Sequence, residues 1–519
     1  MTAQSLQAAL LERKSTPTPL AQFLSAFHVD SEKIHTLTRE FEATFRHLAA
    51  KSQNQFLPTP ILTSLLRPIG DLRRHEGCLN SGGTNLRVGF VKLHPEDDSS
   101  SPTVEVLLER SCPIGEQLKH KNHTALFDWI GNTIAAVVKD GCTKWSLNPE
   151  EPLPMGVTFS FPMHQRALSE AIPMSMGKGF QLEEGTDLGS QLLEGYEKYR
   201  TSNLPSIRIA AIANDSVATL ISFIYQYGAT ENRVPAMGLI VGTGCNATVT
   251  LPLDILGDKI NAVSLGPEVG SNPSQTRLAV NTEWSINGTA GPLRDMGLIT
   301  KWDEELDRAG ETPGFQPLEY VTSGRYLGEL GRIIFLDYLM TEYAIEPSLL
   351  PSALFERYSM STTFLSYFGP PNARFLEKLE NTFPSAVDPS PFRWNESHVD
   401  ALYQIAQAIQ RRAASILASA TVALLRLAGE VPAVPETKSV FLPPKGVKKV
   451  GVGFTGGCIV NFQNYLYDYE MLLSQIISED FGPHVPVEVE VKPCHCGGIT
   501  GAGILAAAVL ANEGGENKS

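Results

Sequence analysis

The sequence predicts an α/β protein folded as two lobes around one cleft. Three observations carry that prediction. The stretches "CLNSGGTNLRVGFVKL" from Cys78 and "MGLIVGTGCNATVTLPL" from Met237 share one layout: an apolar strand, a Gly/Thr turn and a second strand. Between them, "IRIAAIANDSVATLISFIYQYG" is an apolar strand that runs directly into a helix. A glycine turn between strands points backbone N–H groups into a concavity. Two such turns in matched contexts predict a duplicated unit, each copy facing a shared cleft.

The remaining elements follow in chain order. Residues 1–73 read as mostly helical, interrupted at 15–19 by Pro, Ser and Thr and again around Pro58 and Pro60. After the first glycine hairpin come the acidic loop "HPEDDSS" and the β-rich run "TVEVLLERSCPI". Next are an amphipathic helix in "ALFDWIGNTIAAVVKD" and a strand in "PMGVTFSFPM". The C-terminal half is dominated by helices. "SHVDALYQIAQAIQRRAASILASATVALLRLAG" predicts a long one with Ser397 as N-cap and Gly429 just past its end. A proline-rich linker, "EVPAVPETKSVFLPPKG", precedes a last α/β piece, and "GGITGAGILAAAVLANE" reads as a closing helix followed by a disordered tail.

Bulk chemistry excludes several function classes. At 519 residues the chain can form roughly two or three domains, and 42% hydrophobic with 19% charged residues is ordinary globular composition. A net charge of −14 leaves no basic surplus to neutralise phosphates, so no nucleic-acid partner is expected. Seven scattered cysteines do not form a disulfide framework, and the one tight cluster, Cys494, His495 and Cys496, lacks a second ligand pair at zinc spacing. No metal site is expected there. The opening residues lack a basic segment leading into an apolar core, and no apolar run reaches the ~18 residues of a membrane span. A cytoplasmic, reduced protein without integral membrane association is expected.

Taken singly, "SGGTN" and "VGTGCN" are read equally well as hairpin turns or as phosphate cradles. Asp215, at the mouth of an apolar strand, is read as a helix cap or as a general base where strand ends converge on a ligand.

Read together and in order, these stretches resemble the hexokinase family over about residues 60 to 510. "GGTNLRV" resembles its first phosphate motif, and "TFSFPMHQ" continuing to "GKGF" its sugar-binding signature. "IANDSVATL" is similar to the stretch with the catalytic aspartate, and "GLIVGTGCNA" to the second phosphate motif. "VNTEW" and "PGFQPLEYVTSGRYLGEL" resemble two further sugar-contact segments. The resemblance implies a two-lobed actin-like ATPase (ribonuclease H-like) sugar kinase fold. It implies an N-terminal helical segment over 1–73 packed on the large lobe, a small lobe over 74–214 and a large lobe over 215–498. Residues 499–519 would then return to the small lobe.

The same resemblance implies site roles. Asp215 would take the proton from the sugar 6-hydroxyl, with Ser160, Lys178, Asn214, Asn246, Glu283 and Glu319 contacting the sugar. Gly177 stands where the family has threonine, which opens the pocket and makes an N-acetylhexosamine a candidate beside a glucose-type hexose. ATP with Mg²⁺ would be held by Gly82, Gly83, Thr84, Asn85 and Arg87 of the first motif and by Gly242, Thr243 and Gly244 of the second. "STTFLS" resembles the family segment that reaches the nucleotide, so Thr362 and Ser366 would do so here, and Gly456 belongs to the adenosine motif.

Departures cluster on the nucleotide side. Asn80 and Ser81 replace the family's Asp-Leu, and Thr455 and Gly457 replace Asp and Ser around Gly456. Asparagine keeps an acceptor oxygen for a metal-bound water but surrenders a charge, a loss of about 1.5–3 kcal/mol, or roughly 10- to 100-fold. Two functions are therefore compatible with the sequence: an ATP-dependent kinase of a hexose or N-acetylhexosamine, monomeric or homodimeric, and a sugar-binding regulator that phosphorylates poorly.

Overall fold

The computed structural model describes residues 18–66, 75–81, 85–94, 103–115, 118, 123–174, 185–265, 272–384, 392–434, 447–482, 485–494 and 497–516. The acidic loop, most of the proline-rich linker and the last three residues lie outside the described residues.

Two sheets organise the chain, and they share one internal order. The first runs β4 (Thr103–Pro113), β3 (Asn85–His94), β2 (His75–Ser81), β5 (Leu153–Phe159), β8 (Ile207–Ala213). Its first three strands are antiparallel neighbours, and β5 and β8 continue parallel to β2. The second contains β11 (Arg277–Asn281), β10 (Cys245–Pro252), β9 (Arg233–Val241), β12 (Lys448–Thr455) and β13 (Val487–Pro493). Here too three antiparallel strands precede two parallel ones. The second glycine stretch joins β9 to β10, and the first lies in the chain between β2 and β3, so the duplication read from the two hairpins is a duplication of topology. A two-stranded ribbon of β6 (Met163–His164) and β7 (Ile172–Pro173) stands apart from both sheets.

One N-terminal expectation is corrected. Around Pro58 and Pro60 the chain forms β1 (Leu57–Leu62), which pairs antiparallel with β11. An edge strand tolerates prolines because one side of its backbone needs no ladder donors. Before it, the helix Ser31–Lys51 packs on the long helix Glu396–Leu427 and buries Ile34, Leu37, Phe41 and Phe45.

That long helix is the spine of the larger core, buried along most of its length. Its N-cap is Asn395, not Ser397: the Asn395 side chain accepts from Ser397 N and His398 N. Asparagine two positions earlier reaches both amides because its backbone is extended, at φ −149°. Gly429 does follow the helix, with φ +73°. Inside the core, Arg412 forms a two-pronged pair with Asp303 at 2.6 and 2.8 Å and also donates to Leu298 O.

The helix Asp215–Tyr227 leaves the end of β8 in the first sheet and delivers the chain to β9 in the second. Against it lies the last helix, Gly497–Glu516, which also crosses β2, β5 and β8. Small residues are required at that crossing. A Cβ on Gly501 would stand 2.1 Å from Ala218 O, and one on Gly156 would stand 1.9 Å from Ala502 O. Thr158 Oγ1 donates to Gly498 O at 2.8 Å, tying the helix start to β5. Among the described residues, no helix is long and apolar enough to cross a membrane.

Candidate active site

The site begins where β8 ends. Its sequence IRIAAIA is buried at every position but Arg208, as suits a strand covered on both faces. Asn214 then caps the following helix: its Oδ1 accepts from Ser216 N at 2.8 Å, and its Nδ2 donates to Phe161 O at 3.1 Å. Asp215 is the first helical residue, half-buried, and its Oδ1 accepts from Ser216 N at 2.9 Å. Of the two readings of this position, the capping is done by its neighbour Asn214. A carboxylate at a helix N-terminus is favoured by the helix dipole.

From this point a chain of buried polar contacts runs into the second sheet. Ser216 Oγ lies 2.8 Å from Asn214 Oδ1 and 2.7 Å from Thr248 Oγ1. Asn246 Nδ2 donates to Asn281 Oδ1 at 2.9 Å and to Glu283 Oε1 at 3.1 Å. Asn281 Nδ2 donates to the same carboxylate oxygen at 2.9 Å. Glu319 lies under the second glycine turn, where its Oε2 accepts from Cys245 N at 3.1 Å. A Cβ on Gly244 would come within 2.7 Å of that oxygen, so the glycine makes room for the acid. Glu283 and Glu319 are 5% and 4% exposed, which sets them apart from ordinary surface acids. Ser160 is buried at the end of β5, one residue before the carbonyl that holds Asn214.

Of the residues expected to contact a sugar, Asn214, Asn246 and Glu283 belong to one polar network beside Asp215, and Ser160 and Glu319 adjoin it through Phe161 and Cys245. Gly177 and Lys178 lie outside the described residues. Sequence reasoning missed Asn281, Ser216, Thr248 and Gln55. Asn281 was within reach, because it stands two positions before Glu283 in "VNTEW".

A neighbouring cleft of about 420 Å³ is walled by Gly242, Thr243, Gly324, Arg325, the helix Thr362–Ser366 and residues 457–462. Its size is that of a small-molecule pocket. Gly324 N donates to Gly242 O at 2.8 Å, and Arg325 N to Thr243 O at 3.2 Å, which fixes the turn against the opposite wall. Gly456 has φ +127°, and a Cβ there would be 2.2 Å from Val241 O, so only glycine fits. The hydroxyls of Thr362 and Ser366 are engaged with backbone: Thr362 donates to Gly324 O and accepts from Gly328 N, while Ser366 donates to Asn461 O and accepts from Gln463 N. Both residues line the cleft while fastening its walls. Arg325 is the only charged side chain among the described lining residues, and it pairs with Glu311 at 2.8 Å.

On the first sheet, Asn80 and Ser81 end β2, in register with Arg87 and Leu86 of β3 and with Thr158 and Phe159 of β5. Gly82, Gly83 and Thr84 lie outside the described residues. Asn85 opens β3, and Arg87 reaches toward Glu109 across a half-exposed 3.8 Å gap.

Burial pushes the Cys245 and Cys458 thiols up to about 12. They contribute neutral packing here, because the thiolate is the nucleophile. Cys494 is buried, with its Sγ 3.6 Å from Thr219 O, while His495 and Cys496 lie outside the described residues. Among the described residues no group of three or more His, Cys, Asp or Glu gathers as a metal site.

Comparison with known proteins follows this geometry. Residues 19–225 and 236–508 match two family models, each described as hexokinase. Hexokinase-2 of Schizosaccharomyces pombe is 25% identical over 466 residues, covering 88% of this chain and 91% of that protein. Human hexokinase-2 is 27% identical over 413 residues, covering 78% of this chain; the aligned part spans 41% of the human protein. Among solved structures, the hexokinase from Schistosoma mansoni complexed with glucose superposes with a TM-score of 0.71 at 22% identity, covering 98% of this chain and 100% of that one.

Proposed function

Because the chain belongs to the hexokinase family of ATP-dependent hexose-phosphorylating enzymes, we propose that it transfers a phosphoryl group from ATP to the 6-hydroxyl of a hexose or N-acetylhexosamine, with Asp215 as general base. The observation that carries this reading is the continuous polar chain from Asn214, beside Asp215, through Ser216 to Thr248, and on through Asn281 to Asn246 and Glu283. A polyol needs fixed acceptors and donors, and a buried set of amides and acids strongly rejects a ligand that leaves them unpaired.

In this reading Asn246, Glu283 and Glu319 orient the sugar hydroxyls, and Ser160 bounds the pocket from β5. Asp215 accepts a hydrogen bond from the 6-hydroxyl and takes its proton as the oxygen attacks. The neighbouring cleft suits a nucleotide in size, at about 420 Å³, and is walled in part by Gly242, Gly324 and Gly457. Gly242, Thr243 and Gly244 would hold its phosphates from the second sheet, and the first glycine turn with Asn80, Asn85 and Arg87 from the first. MgATP, when bound, supplies the phosphoryl group and the cation that offsets its charge. The protein adds positioning and oriented dipoles, which account for most of phosphoryl-transfer catalysis. Residues 74–214 and 215–498 would form the two lobes, and their closure would exclude water as a competing acceptor. Gly177 in place of threonine supports a pocket able to take a 2-acetamido sugar.

Release of ADP with glucose, mannose, fructose, glucosamine and N-acetylglucosamine tests the proposal, with Asp215→Ala as the blank. At least one sugar should give turnover roughly 10²-fold or more above the blank, the span general-base catalysis contributes. No turnover above the blank with any of them would overturn it.

A further inference from the structure

We infer that Gln55 is a positioning residue that sets the Glu283 carboxylate and thereby the affinity for sugar; this rests on reading Glu283 as a sugar ligand. Gln55 lies in the connection between the helix Ser31–Lys51 and β1 and is 2% exposed. Its Nε2 donates to Glu283 O at 2.9 Å and to Ile286 O at 3.3 Å. Its Oε1 fills the space above Gly288, where a Cβ would stand 2.0 Å away.

The backbone it grips is unusual. Glu283 has φ +43° and Phe56 has φ +51°, both non-glycine residues in the left-handed region. Such conformations persist where the surroundings over-determine them. Here they do. Phe56 N donates to Thr282 O at 2.9 Å, and Thr282 N and Oγ1 both donate to Ala247 O. The buried Lys259 ammonium draws the connection together from behind, donating to Leu48 O, Gln55 O and Phe56 O at 3.1, 3.0 and 2.8 Å. Lys259 thus holds Gln55, and Gln55 holds the main chain of Glu283. On the opposite side Asn246 and Asn281 hold its carboxylate. A ligand carboxylate must be fixed within about 0.5 Å, and the supporting contacts decide whether it is.

The experiment uses the full chain with glucose and N-acetylglucosamine as probes. Dissociation constants come from calorimetry, KM for ATP and kcat from the ADP assay, and stability from thermal melting. The variants are Gln55→Ala, Gln55→Met, Lys259→Met and Glu283→Gln. Gln55→Ala and Gln55→Met should weaken sugar binding roughly tenfold or more and leave KM for ATP within about twofold. Lys259→Met, acting through Gln55, should shift the same constant in the same direction by less. A lowered melting temperature with unchanged sugar affinity in both Gln55 variants would make Gln55 a packing residue and overturn the inference. Should Gln55→Ala fail to fold, Gln55→Met, which keeps the length without the donor, decides. Weakened sugar binding in Glu283→Gln alone defeats this inference and leaves the ligand reading standing. Unchanged binding in Glu283→Gln defeats both.

Discussion

Asn214 and Asp215 are adjacent, yet they meet opposite demands. The first turns its amide inward, to Ser216 N and Phe161 O, and fixes the start of the helix. The second is carried just past the cap and is half-buried. Position 80 shows the same sensitivity to a single group. Asn80 sits in β2 opposite Thr158 of β5, one residue before the strand ends. Restoring the carboxylate with Asn80→Asp should raise kcat/KM for ATP by up to about 10- to 100-fold through the recovered charge. Steady-state kinetics in varied ATP and Mg²⁺ measure this, and an unchanged value would mean that position 80 does not act on the metal. Cys458 teaches a narrower lesson. It lines the cleft, but burial keeps its thiol protonated, so its place there is explained by packing against Gly324.

The long helix Glu396–Leu427 shows how an element carries its own pH dependence. His398 is 3% exposed, surrounded by the rings of Tyr343, Phe392 and Trp394, and its Nδ1 accepts from Asn395 N to complete a capping box. Burial pushes its imidazole down to about 4, whereas an unfolded histidine titrates near 6.5. The unfolded chain therefore binds the extra proton between those values, and stability is lost as pH falls from about 6.5 to about 4. Thermal melting across that window should show the midpoint dropping by a few degrees beyond the general acid effect. His398→Gln, which is never charged, should flatten that slope. Parallel curves for the two proteins would remove His398 from the account. The sequence pointed to Ser397 as the cap because both residue types suit the role; the extended backbone at Asn395 decided between them.

For the whole molecule, the last helix is the clasp between the two sheets. It crosses the first sheet and the Asp215 helix together, and Gly501 faces the Ala218 carbonyl with no room for a Cβ. Gly501→Ala should destabilise the fold by about 1–3 kcal/mol through overpacking and lower kcat by shifting the Asp215 helix. Denaturant unfolding with kinetics checks both. Full stability with full activity would show that the crossing yields to a methyl group at no cost.

What the sequence by itself determined is the part written in consecutive residues: two glycine turns, one strand running into a helix, small residues opening the last helix, and the order of these along the chain. Those features depend on backbone conformations that each stretch imposes on itself, and they were enough to predict two similar lobes and the place of Asp215. They did not extend to β1, whose prolines read as a break until pairing with β11 made them an edge. Only the tertiary structure decided which buried group answers which. Gln55 and Glu283 are 228 positions apart, Asn246 and Glu283 are 37, and the hydroxyls of Thr362 and Ser366 turn to backbone that the motif could not foresee. A buried polar atom must find its partner wherever the fold brings one near, and that meeting is set by sheet order and helix crossings, which no local pattern encodes.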